Sequence, residues 1–215
     1  MREPKAWMPA MTLSLMQQVK FDLGDLSQMM PEMKISINLF EGHFRDDSIV
    51  EDVQAIFGNS NIGFRQLVFE ITERHPLANS AIANSVIAGL HALGCKLAMD
   101  DAGTGHSNLA YLATLGVDVI KIDRIFVDMV KPGTTQVPVL DGLIAMAKDL
   151  DCEIVAEGVE TEEQALYLRA RGVVQAQGFI FAPALKIGAF RELATALHAT
   201  VTPRSRIESI VASAA

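Results

Sequence analysis

Apolar residues recur along this chain in two rhythms. Short, nearly continuous apolar runs rich in β-branched side chains occur at Lys34–Leu39 (KISINL), Gln66–Ile71 (QLVFEI), Lys96–Asp100 (KLAMD), Asp118–Ile122 (DVIKI), Glu153–Ala156 (EIVA) and Val173–Ala176 (VVQA). Such runs predict strands covered on both faces. Their starts lie 20 to 35 residues apart, a spacing that suits βα units and is too long for hairpins. Between them, Asp46–Phe57, Ala78–Leu93, Thr135–Leu150 and Glu162–Arg171 carry apolar residues on one helical face, with Gly94 and Gly172 as stops. Thr161 with Gln164 three residues later predicts a capping box. Met11–Met30 reads as a helix ahead of the first strand and residues 187–199 as a closing helix, with Val201–Ala215 a loosely held tail. Strands that alternate with helices are parallel, in a doubly wound sheet or a (β/α) barrel. Six strands do not close an eight-stranded barrel, and 215 residues is short for one.

Polar side chains interrupt the apolar runs at one recurring place, the C-terminal end of a strand. They are Asn38 in ISIN, Glu70 in LVFE, Asp100 and Asp101 in LAMDD, Lys121 with Asp123 in VIKID, Glu157 in IVAE and Gln177 beyond VVQA. In both parallel architectures that edge carries the functional residues. Each residue alone also has an ordinary reading. Asn38 could serve a turn, Asp100 and Asp101 could cap the AGTG turn, and Glu70 with Glu73 could be solvated charge. Lys121 with Asp123 could be a plain ion pair, and Glu157 could belong to a turn that needs Gly158. Together, four carboxylates and an amide at one rim would repel one another strongly unless cations neutralise them. The donors Asn38, Glu70, Asp100, Asp101 and Glu157 are all hard oxygens, which suits Mg²⁺ or Mn²⁺, or Ca²⁺, and disfavours zinc. Two adjacent aspartates can share one metal and hold a second, as in two-metal phosphoryl transfer, with Lys121 orienting a water or meeting a phosphate oxygen.

Composition narrows the choice further. Half the residues are apolar and a fifth are charged, enough for a substantial core. The net charge of −8 excludes a nonspecific nucleic-acid or anionic-membrane binder. Cys95 and Cys152 lie in apolar segments without CxxC spacing, as buried reduced residues of a cytoplasmic protein would. No stretch approaches the roughly 18 uncharged apolar residues of a membrane span, and the N-terminal MREPKAWMPAM lacks a signal peptide's apolar run. Gly103-Thr104-Gly105 is neither a dinucleotide fingerprint nor a P-loop and reads as a rim loop. No histidines fall at HxxxH spacing, and of the five only His106 lies near the aspartates. The ten methionines read as core filler.

FEITE (69–73), MDDAGTGHSNLAYL (99–112), VDVIKIDRIFV (117–127), IVAEGVET (154–161) and QAQGFIFAPAL (175–185) resemble, in order and spacing, the signature blocks of the EAL domain family. ISINL (35–39) resembles that family's strand ending in a metal-binding asparagine, and the likeness covers about residues 12–197. The resemblance implies a TIM-like (β/α)₈ barrel with one antiparallel strand that hydrolyses cyclic di-GMP to linear pGpG with two Mg²⁺ or Mn²⁺ ions. It further implies a first metal on Asn38, Glu70 and Asp100, and a second on Asp100, Asp101 and Glu157. Lys121 would hold the attacking water, Glu73 would brace the loop after Asp101, and Asp123, Glu160 and Gln177 would support the site or contact substrate. MDDAGTGH looks like the subgroup that carries a periplasmic sensor ahead of the enzyme, which implies a cytoplasmic domain of an inner-membrane protein. EAL barrels commonly pair, so a homodimer is implied as well.

No Glu-Ala-Leu tripeptide occurs in the chain, although it names the family and supplies another ligand to the first metal. The expectation is therefore one incomplete α/β barrel over residues 1–200, lacking the family's first two strands, with a tail at 201–215. Its gap would be flanked by two unpaired strand edges, and its activity would be impaired. Two other readings are a catalytically inactive cyclic di-GMP receptor and a protein-interaction module. Retention of Asp100, Asp101, Lys121 and Glu157 counts against the receptor.

Overall fold

The computed structural model describes residues 8–45, 48–72, 81–103, 115–200 and 212–213. All six expected strands are present: β1 Ile35–Asn38, β2 Leu67–Thr72, β3 Lys96–Ala102, β4 Val119–Ile122, β5 Glu153–Ala156 and β6 Gln175–Ala176. The helices are α1 Met8–Met29, α2 Ser48–Phe57, α3 Ala81–Leu93, α4 Pro138–Asp149, α5 Glu162–Ala170 and α6 Ile187–Thr200. Every one overlaps its sequence expectation, with ends displaced by a few residues. The fold class is α/β with parallel strands. The described residues divide into two compact units, the first within 1–71, 75–97 and 185–215, the second within 72–74 and 98–184.

In the first unit β1 and β2 pair in parallel register from Ile35 opposite Leu67 to Asn38 opposite Glu70. Both strands are almost wholly buried, as their unbroken apolar runs require. Met16, Phe57 and Phe69 are among the fully buried large side chains of this unit. Gln66, expected to open a strand, closes a 3₁₀ turn (Phe64–Gln66) instead. Its buried amide donates to the carbonyls of Ser27 at 3.3 Å and Met30 at 3.1 Å, while its oxygen accepts from Gly63 N at 3.0 Å. The polar side chain thus pins the end of α1 to the start of β2, which a purely apolar pattern cannot announce. Within 201–215 the structure describes Ala212–Ser213, which form a short strand, β7, parallel to Ile35–Ser36. That edge of β1 is therefore partly paired, where an open edge was expected.

The second unit orders its strands β3-β4-β5-β6, all parallel. The predicted capping box opens α5: Thr161 Oγ accepts from Gln164 N at 3.3 Å, and Gln164 Oε1 accepts from Thr161 N at 3.1 Å. Gly172, at φ +78°, follows the helix as expected of a C-terminal stop. A polar clasp joins α4 to α5. Arg171 ion-pairs with Asp141 and lies over the Tyr167 ring, 3.4 Å from its centroid. The Tyr167 hydroxyl donates to Asp141 at 2.8 Å and accepts from Val137 N at 2.5 Å.

The Arg171 hydrogen bond outweighs partial burial and holds the Asp141 carboxyl below its usual range. A carboxyl depressed in the folded state adds stability above its unfolded pKa and loses it as pH falls through the folded value. Asp141 is about a third exposed, so screening keeps the effect small. Asp141→Asn is expected to cost about 1 kcal/mol at neutral pH. Urea unfolding measured from neutral pH downward should show the gap between variant and wild type narrowing only as pH falls below the ordinary range of aspartate.

Candidate functional site

Adjacent residues on a strand point to opposite faces, so two neighbouring aspartates would not ordinarily share a site. Here the β3–β4 register runs Ala98 to Val119 and Met99 to Ile120, then shifts, so that Ala102 meets Ile122. Within that bulge Asp101 takes φ +56°, a left-handed conformation that aspartate tolerates better than most residues. As a result carboxylate oxygens of Asp100, Asp101 and Glu157 lie within 4.8 Å of one another. Asp100 and Asp101 end β3, and Glu157 follows β5, so the three meet beyond the C-terminal ends of parallel strands.

Lys121 stands between them. It is buried within β4, its side chain 6% exposed, and its Nζ lies 2.9 Å from Asp100 Oδ1 and 2.6 Å from Glu157 Oε1. Burial of an ammonium is tolerated because two carboxylates receive it. Gln177, just past β6, donates its amide to Glu157 Oε1 at 2.7 Å. The backbone fixes this neighbourhood: Glu157 N donates to Ile122 O at 3.0 Å, Gln177 N to Ala156 O at 2.8 Å, and Val159 N to Gln177 O at 3.0 Å.

Asn38 and Glu70 lie opposite each other in the first unit, on neighbouring strands. Glu70 is buried, 2% exposed, and Asn38 half-buried. Asp123 caps the short helical turn Arg124–Val127, its Oδ1 accepting from Ile125 N at 2.7 Å. Glu160 ion-pairs with Arg124 at 2.7 Å. Glu73 and His106 lie outside the described residues. Cys95 and Cys152 are free thiols; burial pushes Cys95 up to about 12. Sequence reasoning passed over Arg124. Its only signal was the i,i+4 spacing to Asp128, an ion pair of 3.0 Å.

The donor set fits a hard divalent cation. Three carboxylates face one ammonium, leaving a formal excess of negative charge, and every metal donor is oxygen. Among the described residues, no helix is long and apolar enough to cross a membrane.

Comparison with known proteins gives a consistent result. The family profile described as EAL domain matches residues 3–184. The Escherichia coli (strain K12) protein named probable cyclic di-GMP phosphodiesterase PdeN is 39% identical over 170 residues, which is 79% of this chain and 33% of that protein. The chain spans about a third of the length of this and other curated relatives that it matches. Among solved structures, the EAL domain of Mycobacterium smegmatis DcpA superposes with a TM-score of 0.75 at 31% identity, covering 83% of this chain and 80% of that one. PaMucR phosphodiesterase, solved as its c-di-GMP complex, gives a TM-score of 0.72 at 26% identity over 82% of this chain and 72% of that one. With these neighbours the six parallel strands read as an incomplete TIM-like barrel, where a complete one has eight.

Proposed function

Because the chain belongs to the EAL domain family, we propose that it is a cyclic di-GMP phosphodiesterase domain that opens the cyclic dinucleotide to linear pGpG. The observation that carries this reading is the buried ammonium of Lys121 held between Asp100 and Glu157, with Asp101 turned onto the same cluster by the bulge. Asp100, Asp101 and Glu157 would hold Mg²⁺ or Mn²⁺; for Asn38 and Glu70 a ligand role is what the family resemblance implies. Such ions lower the pKa of water and neutralise charge that builds on phosphate oxygens.

The chain's own residues do the rest. Lys121 Nζ, already a donor to two carboxylates, holds the attacking water in line with the scissile phosphodiester. Gln177 fixes the rotamer of Glu157, so the cluster is set before substrate arrives. Asp123 and Glu160 support the site, Asp123 by shaping the turn after β4; the family resemblance implies a supporting role for Glu73 too, which lies outside the described residues. The domain works in the cytoplasm, and two copies pair.

The test is to incubate the purified chain with cyclic di-GMP and Mn²⁺, following binding by calorimetry and pGpG by chromatography. Product that disappears in Asp100→Asn is the expected outcome. Tight binding without product would replace the enzyme with a receptor. Neither binding nor product from a folded chain would leave an interaction module.

A further inference from the structure

Glu157 is followed by Gly158, at φ +66°, and the stem of one arginine lies across that glycine. A Cβ added to Gly158 would fall 2.5, 2.6 and 2.8 Å from Cγ, Cβ and Cδ of Arg124. The guanidinium then reaches two carboxylates on opposite sides. Nη1 is 2.7 Å from Glu160, beyond Gly158 on the same turn, and Nε is 3.0 Å from Asp128, past the helical turn that follows β4. Arg124 thereby ties the segment 157–160 to the segment that begins three residues after Lys121. The first segment carries Glu157 and the second follows the strand that carries Lys121, so the strap spans both partners of the 2.6 Å ion pair.

We infer that Arg124 is a positioning residue for Glu157, holding the Gly158 turn so that the Glu157 carboxylate stays converged with Asp100 and Asp101. The inference rests on the metal-dependent reading above. Arg124 is half exposed and its guanidinium pairs with Asp128 and Glu160, neither of them a member of the three-carboxylate cluster, so its effect passes through the turn. Glu160 acquires a role in the same step: it anchors the guanidinium whose stem covers Gly158. Supporting groups of this kind commonly govern metal affinity by about 10- to 100-fold.

The test uses the whole chain and Mn²⁺ alone, titrated by the electron paramagnetic resonance signal of the free ion, alongside cyclic di-GMP kinetics. Arg124→Ala is expected to weaken Mn²⁺ binding by about 10-fold or more and to lower kcat with little change in KM. Arg124→Lys keeps both a stem over Gly158 and a charge for Glu160, and should recover most of both losses. Asp141→Asn, which loosens the α4–α5 clasp elsewhere in the unit, should lower the melting midpoint and leave Mn²⁺ affinity unchanged. Should Arg124→Ala fail to fold by circular dichroism, Glu160→Gln takes its place with a smaller loss of the same kind. Unaltered Mn²⁺ affinity in the folded variant, or an equal loss in Asp141→Asn, overturns the role of Arg124 alone. A wild-type chain that binds no Mn²⁺ overturns the role and the metal-dependent reading together.

Discussion

Lys121→Met is expected to lower cyclic di-GMP turnover by about 10³-fold while leaving Mn²⁺ affinity undiminished. The reasoning starts from the two ion pairs of 2.9 and 2.6 Å and a side chain 6% exposed. Methionine matches the volume and apolar stem of lysine but brings no donor, so whatever the ammonium orients is lost. Removal of one preorganised donor at a reacting centre costs about 10²- to 10³-fold, and loss of its full charge puts the effect at the upper end. Asp100 and Glu157 meanwhile lose a competing cation, which favours a divalent ion in its place. Without metal, the bare carboxylates should destabilise the fold by about 3 kcal/mol, the low end for breaking a buried pair, because both remain partly solvated. Thermal unfolding with and without Mn²⁺ would read this as a midpoint that drops in the variant and is restored by the ion. More than a tenth of wild-type turnover in the folded variant would mean that Lys121 serves the fold and not the reaction. The contrast with Arg124→Ala, where metal affinity falls, separates the residue that orients from the residue that supports.

Among the glycines described in the second unit, Gly178→Ala should add the methyl group with the severest main-chain clash. Its Cβ would stand 2.2 Å from the carbonyl oxygen of Val159, 2.3 Å from its nitrogen and 2.7 Å from its carbonyl carbon. These are main-chain atoms, and they are held: Val159 N donates to Gln177 O and Ile180 N donates to Val159 O at 3.1 Å. No rotamer change relieves the clash, so one strand-end loop must move away from the other. A cost of about 3 kcal/mol or more is expected, at the upper end for overpacking. Gln177 precedes the glycine directly, so its 2.7 Å contact with Glu157 moves with the loop, and kcat should fall even at temperatures where the variant is folded. Gly142→Ala provides the control. Nothing lies within 4 Å of its added Cβ and it sits inside α4, so the change should stabilise by up to about 1 kcal/mol. Equal denaturation midpoints for the two variants would refute the close-approach account.

The six strands were legible because buried parallel strands are nearly continuous apolar runs, a signal that survives without knowledge of the partner strand. Asn38, Glu70, Lys121 and Glu157 could be singled out for the same reason: a polar side chain stands out in such a run. What the pattern could not express is anything that depends on register. The bulge between Met99 and Ala102 exists only relative to β4, yet it decides whether Asp100 and Asp101 face together. Gln66 looked like a strand residue because its role, bridging to Ser27 and Met30, joins positions 36 and 39 residues away in sequence. Arg124 looked like one more surface charge, since nothing in KIDRIFV announces that its stem will lie on Gly158. Local chemistry is readable in one dimension; contacts that join separate segments are not.

The kink at Asp101 also bears on any attempt to transplant this carboxylate pair into another barrel. Copying the two letters into a regular strand would graft one acid onto the inner surface and its neighbour onto the outer. The donor scaffold would have to surrender the extra residue and its left-handed backbone together with the side chains. In that sense the smallest portable unit here is a distortion of the main chain, with the acids as its passengers.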